Sequence, residues 1–268
     1  MPTPSSQAAA GAHAQLPGVK LWFTDSGGDG APLILLHPNT GNVDIWEFQV
    51  PAFAQAGYRV IAFDRRGWGN SVADPASGPQ PGSIAGDLDA LADYLKLGTF
   101  HLLGIAGGGF AALDYAASQP RRLRSLIVGA STGKFADAAV AEFIARIAIP
   151  DIRKHSAHYR EVGPSYRGAN PDGVDRWIEL ERRSRRPDAV EQPLDTPNTF
   201  AKIATITAPT LVIAADADLL APPALMRLWA AHLKHHEWAV MHDAGHAMAW
   251  EQPGAFNDKV LDFLRRCA

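Results

Sequence analysis

Gly104-Ile105-Ala106-Gly107-Gly108 is the stretch on which the fold of this chain turns. Upstream, Thr99 to Leu103 (TFHLL) is a short, partly β-branched apolar run; downstream, Phe110 to Ser118 (FAALDYAAS) has helical spacing and ends before Pro120. A strand therefore runs into Gly104 and a helix leaves from Gly107. So sharp a turn needs small residues around its central position, and Gly104, Gly107, Gly108 and Gly109 supply them. A phosphate-binding turn is the competing reading, but Gly-x-Gly-x-x-Gly is not matched and no P-loop lysine follows. A turn of the Gly-x-Ala-x-Gly form presents its central side chain beyond the end of a strand. Where a serine there would be a nucleophile, this chain has Ala106.

Outward from that turn, strands and helices alternate, the pattern of a mostly parallel sheet with helices on both faces. Strands are expected at Val19–Thr24, Leu33–Leu36, Tyr58–Phe63, Leu123–Val128, Thr210–Ala214 and Glu237–Met241. Helices are expected at Asp44–Ala56, Ser83–Leu95 and Gly254–Arg265. Between about Gly133 and Ile206 the rhythm breaks into prolines and helical pieces without a convincing buried strand, as expected of a helical lid inserted into the sheet. The domain reading is a core of 19–132 and 207–268, a lid of 133–206, and a flexible leader of 1–18, whose Ala, Ser, Pro and Gln contain no long apolar run.

Composition narrows the function. With 268 residues, 47% of them hydrophobic, the chain can bury a full core. A net charge of −3 leaves no basic footprint for nucleic acid. No apolar run is long enough to span a bilayer, so no membrane partner is expected. The single cysteine, Cys267, permits no intrachain disulfide and fits a cytoplasmic location. The expected partner is a small-molecule substrate.

In open α/β sheets ligands collect beyond the carboxyl ends of strands, and three further segments lie there. Asp216 and Asp218 follow the strand TLVIA; Asp218 is the favoured acid and Asp216 its understudy, against the plain reading that both cap the helix after Pro222-Pro223. His246 follows Asp243-Ala244-Gly245 after the last strand, in the chain order nucleophile position, acid, base. A carboxylate at Asp218 would orient it and stabilise its imidazolium. His37-Pro38-Asn39-Thr40-Gly41 follows LILL, where backbone N–H groups can form an oxyanion hole; Asn39 and Gly107 are the candidate donors, since Pro38 has no N–H. The remaining histidines have no ligand-spaced partners, so neither a metal site nor a cofactor is expected.

Assembled, these pieces resemble the α/β-hydrolase superfamily over nearly the whole chain after residue 18. Asp64-Arg65-Arg66-Gly67-Trp68-Gly69-Asn70-Ser71 is similar to its D-x-R-G-x-G-x-S stretch, which is structural there. The run Gly245-His246-Ala247-Met248-Ala249-Trp250-Glu251-Gln252 resembles the meta-cleavage-product hydrolases, which cut carbon–carbon bonds in vinylogous diketo acids. The resemblance implies that Trp250 and a lid pair, Arg176-Trp177, bind substrate together with His37, Arg176 holding a carboxylate. His37-Pro38 departs from the His-Gly usual in those relatives.

Ala106 admits two readings. One is a serine hydrolase of esters, lactones or ring-fission diketo acids silenced by replacement of its nucleophile, with strongly impaired activity. The other is a chain that works without a nucleophile, using His246 and Asp218 as a base in a lyase, a cyclase or a cofactor-free oxygenase. A non-catalytic ligand-binding protein on the same fold is a third class, disfavoured because it would need no acid and base at two separate strand ends.

Overall fold

The computed structural model describes residues 10–187 and 189–267. Its strands are β1 (Ala10–Leu16), β2 (Val19–Asp25), β3 (Pro32–Leu36), β4 (Arg59–Phe63), β5 (Val72–Ala73), β6 (Phe100–Ile105), β7 (Leu123–Gly129), β8 (Thr210–Ala215) and β9 (His236–Met241). They make one sheet in the order β1-β2-β4-β3-β6-β7-β8-β9, with β5 paired to β2. From β4 to β9 every neighbouring pair is parallel, whereas β1, β2 and β5 pair antiparallel.

The helices are α1 (Gln49–Gln55), α2 (Ile84–Tyr94), α3 (Gly107–Ser118), α4 (Ala138–Ile147), α5 (Ala157–Glu161), α6 (Pro164–Ala169), α7 (Pro171–Ser184), α8 (Phe200–Ile203), α9 (Pro223–Ala230), α10 (Met248–Glu251) and α11 (Pro253–Arg266). The sheet's alternation distributes its side chains to two cores. Ile34 and Leu36 face one with Leu88, Ala112 and Trp229, while Leu33 and Leu35 face the other with Phe53, Trp177 and Phe263. With both faces covered, the central strands read as continuous apolar runs: all six residues of β6 are buried. No helix among the described residues is long and apolar enough to cross a membrane.

Two expectations are corrected. Residues 10–16 are not a flexible leader: they pair along their whole length with β2, from Ala10↔Asp25 to Leu16↔Val19. Buried Ala14 and Leu16 alternate with half-buried His13 and exposed Gln15, a period-2 pattern too short and too small in its residues to stand out. Met1–Ala9, the rest of that leader, lie outside the described residues. The stretch Asp44–Ala56 is not one helix but a 3₁₀ turn, Val43–Trp46, capped by the Asn42 side chain, followed by α1.

Between β7 and β8 lie α4 to α8. Buried polar contacts fasten this insertion to the core. The fully buried Asp114 of α3 accepts from the Asp195 amide at 2.7 Å and from Lys202 Nζ, and Asn198 Nδ2 donates to the carbonyls of Phe110 (3.0 Å) and Gly133 (2.8 Å).

Candidate active site

The turn after β6 is held in a conformation that L-residues rarely adopt: Ala106 has φ 49° and ψ −115°. Its amide donates to the Gly129 carbonyl at 2.9 Å, and its carbonyl accepts from the buried Ser131 hydroxyl at 2.8 Å. Ser131, the nearest hydroxyl after the next strand, is thus spent on propping the turn. The glycines answer to close backbone approach: a Cβ on Gly104 would lie 2.4 Å from the Gly108 carbonyl oxygen, and one on Gly108 would lie 2.1 Å from that of Leu36. Gly107 opens α3, where an amide has no intrahelical acceptor and the helix dipole favours negative charge. Its α-carbon faces the Asn39 side chain, whose Oδ1 would stand 2.3 Å from a Gly107 Cβ.

His37 is fully buried behind the loop rather than in a substrate space. Burial first, and Arg65 second, hold its imidazole well below the usual range, so it is neutral. Its Nδ1–H donates to the Pro38 carbonyl at 2.7 Å while Nε2 accepts from the Arg65 amide at 3.1 Å, a tautomer assigned from this network. Its ring fixes the loop that carries Asn39.

Asp218 and His246 meet as their order along the chain implied. Asp218 Oδ2 lies 2.8 Å from His246 Nδ1, and Oδ1 accepts from the amides of Leu220 (2.7 Å) and Ala221 (2.9 Å). The carboxylate is therefore at once a loop cap and the partner of the imidazole. Asp216 is elsewhere, in an exposed pair with His242 at 2.8 Å. Burial opposes the charged form of His246, but the Asp218 carboxylate and its hydrogen bond, helped by Glu161 and Glu251, outweigh it and raise the pKa to about 9.

Glu161 and Glu251 were not found from sequence. Glu161, at the end of α5, accepts from the Thr40 hydroxyl at 2.7 Å; Glu251, in α10, accepts from the Gly245 amide at 3.0 Å. Both are buried, and burial is the main cause that raises both carboxyl pKa values. Glu161 is marked by no motif, because its partner Thr40 comes from a distant segment, whereas Glu251 stands inside the run Gly245–Gln252 and reaches back six residues to the Gly245 amide.

Glu161 and His246 share a narrow cavity with Thr40, Trp177 and Trp250. Trp250 is fastened by its indole N–H to the Gly173 carbonyl at 3.2 Å. The two tryptophans implied by resemblance therefore reach the site, but Arg176 does not: it is largely exposed, bonds to Glu47 Oε2, and lies 6.0 Å over the Trp250 ring. Among the described residues no group of three or more His, Cys, Asp or Glu could hold a metal ion.

The α/β-hydrolase family model matches residues 33–259, spanning the turn, the insertion and the histidine loop. The chain belongs to that family. Among curated relatives of this chain, the RutD protein of Variovorax paradoxus (strain S110), which bears the name of a putative carbamate hydrolase, is 31% identical over 253 residues, 89% of this chain and 93% of that protein. The 2-hydroxy-6-oxononadienedioate/2-hydroxy-6-oxononatrienedioate hydrolase of Burkholderia vietnamiensis (strain G4 / LMG 22486) is 29% identical, covering 92% of each chain. Among solved structures, a thermophilic esterase from Thermogutta terrifontis superposes with TM-score 0.80 over 95% of this chain and 98% of its own, at 23% identity. The resemblance to carbon–carbon bond hydrolases read from the C-terminal run is thus met by relatives of that name, alongside other α/β-hydrolases.

Proposed function

We propose that the chain hydrolyses a small carbonyl compound, an ester, a lactone or a ring-fission diketo acid, with His246 delivering water in place of a seryl nucleophile. The observation that carries this is the buried Asp218–His246 pair at 2.8 Å beside a turn whose central residue has only a methyl group. Ala106 cannot form an acyl-enzyme, so the reaction passes through direct attack. In that step Nε2 of His246 removes a proton from water as its oxygen bonds to the carbonyl carbon. The amides of Asn39 and Gly107 receive the oxyanion. Collapse breaks the bond to the leaving group, which takes the proton back from Nε2. The names of the relatives support the substrate class.

One observation favours a second reading. With a pKa of about 9, His246 is an imidazolium at neutral pH and stands ready as a general acid, which suits a proton-transfer reaction in a lyase or cyclase. The pH profile separates the two: a base-driven hydrolysis gains rate as pH rises toward about 9, and an acid-driven reaction loses it there.

The decisive experiment compares turnover of an activated ester and of a ring-fission diketo acid by this chain and by Ala106→Ser, with mass spectrometry for a covalent adduct. Turnover by the present chain without an adduct supports direct attack. Turnover confined to the serine variant, with an acyl adduct, shows that alanine silences a serine hydrolase and overturns it.

A further inference from the structure

Two consecutive arginines in the stretch after β4 have opposite fates. Arg66 is neutralised: it pairs with the buried Asp87 at 2.7 Å and donates to the carbonyls of Pro17, Gly18 and Pro79. Arg65 is just as buried, at 3% exposure, but among the described residues no carboxylate oxygen comes within 4.0 Å of it. Its guanidinium meets only neutral groups: Asn39 Oδ1 at 3.1 Å from both Nη1 and Nη2, the Pro38 carbonyl at 3.0 Å, and the His37 ring. Of the two N–H bonds on Nη1, one is accounted for by Asn39.

Arg65 lines a cavity of about 60 Å³ that reaches Gly107 and Asn39 and is closed from the insertion by Lys134, Arg185 and Glu191. Lys134 and Glu191 pair with each other at 2.7 Å. That leaves Arg65 and Arg185, whose guanidinium carbons lie 4.5 Å and 5.2 Å from the Trp68 ring, as two cations on one indole without an ion pair among the described residues. A buried charge without a counter-charge in contact is costly, and its natural complement is an anion. Burial, and then Arg185, lower the Arg65 pKa to about 9, and the more distant carboxylates of Glu191 and Asp64 offset this only in part.

We propose that this cavity is an anion subsite, in which Arg65 and Arg185 bind a carboxylate of the substrate while the neighbouring carbonyl lies at Gly107 and Asn39. The inference deepens the hydrolytic reading and shares its placement of the carbonyl. A planar fork suits a carboxylate, and the space admits that group with little more. The acid-binding role that resemblance implied for Arg176 falls to Arg65 and Arg185, since Arg176 is engaged with Glu47 and does not line this cavity.

Calorimetric titration with 2-oxobutanoate and its neutral isostere 2,3-pentanedione tests this without requiring turnover. The chain is expected to bind the carboxylate at least tenfold more tightly than the dione. Arg65→Gln and, at an exposed position, Arg185→Glu are each expected to abolish that preference while leaving the dione's affinity in place. Equal affinity for the two probes in the parent overturns the subsite. So does Arg65→Gln weakening both probes alike, which would mean that Arg65 only holds the loop, or loss of the preference in Arg176→Ala with retention in Arg185→Glu. Carboxylate binding through Arg65 without hydrolysis of any ester would retain the subsite and remove the hydrolytic reading; hydrolysis without the preference would do the reverse.

Discussion

The hydroxyl of Thr40 donates to Glu161 Oε2 at 2.7 Å, joining the loop after β3 to the insertion across 121 positions of sequence. The Glu161 carbonyl also accepts from the Ala247 amide at 2.9 Å. Three segments, two of them carrying proposed catalytic groups, thus converge on one buried glutamate next to the imidazole, one through its carboxylate and one through its backbone carbonyl.

Glu161→Gln is expected to lower the His246 pKa from about 9, because the lost carboxylate is one of the groups that stabilise the imidazolium. Imidazole resonances followed by NMR across pH would read it. An unmoved midpoint would mean that Glu161 is neutral throughout and serves only the Thr40 hydrogen bond.

Protein stability should fall with pH through the His246 transition. The folded pKa of about 9 exceeds the ordinary imidazole value of 6.5, so the stabilisation is fully present below about 6.5 and is lost as pH rises through about 9. Melting temperatures recorded from pH 6 to 10 should decline in that window for the parent and decline less for His246→Asn. Parallel curves would contradict the raised pKa.

Asp218→Asn keeps a polar group of the same size but reverses the demand on Nδ1, favouring the wrong tautomer of His246. A loss of about a thousandfold to ten-thousandfold in kcat is expected on any substrate the parent turns over. A variant within tenfold of the parent would remove the dyad from the mechanism.

Backbone approach at the turn gives two opposite stability effects. A Cβ on Gly108 would meet the Leu36 carbonyl at 2.1 Å, where neither β3 nor α3 can yield cheaply, so Gly108→Ala should cost about 3 kcal/mol or more. Ala106→Gly relieves a conformation at φ 49°, with strain of about 1–3 kcal/mol, against about 1 kcal/mol of added unfolded-state entropy. A rise in urea midpoint is expected for Ala106→Gly, and a fall would show that the turn is not strained.

The sheet was legible because its signals are local: LILL, YRVIAF and TLVIA are runs whose burial on both faces needs no partner to be read. Asp218 and His246 were legible because a strand end and a following loop place them without knowledge of the neighbouring segments. The strand Ala10–Leu16 was hidden by its small residues, since alanine and glycine show little alternation of hydrophobicity.

Sequence alone determined the parallel core, the glycine turn with a methyl group at its centre, and the places of Asp218 and His246 beyond β8 and β9, all consequences of short-range pattern and chain order. Tertiary structure alone decided which buried charges are compensated. Arg65 and Arg66 are adjacent and chemically identical, yet Asp87 neutralises one and only neutral groups meet the other. Likewise Glu161, at the end of α5, acquires its relation to His246 only when the insertion packs against the histidine loop. Electrostatic roles depend on distance and solvent exclusion, and both are properties of packing between segments far apart in the chain.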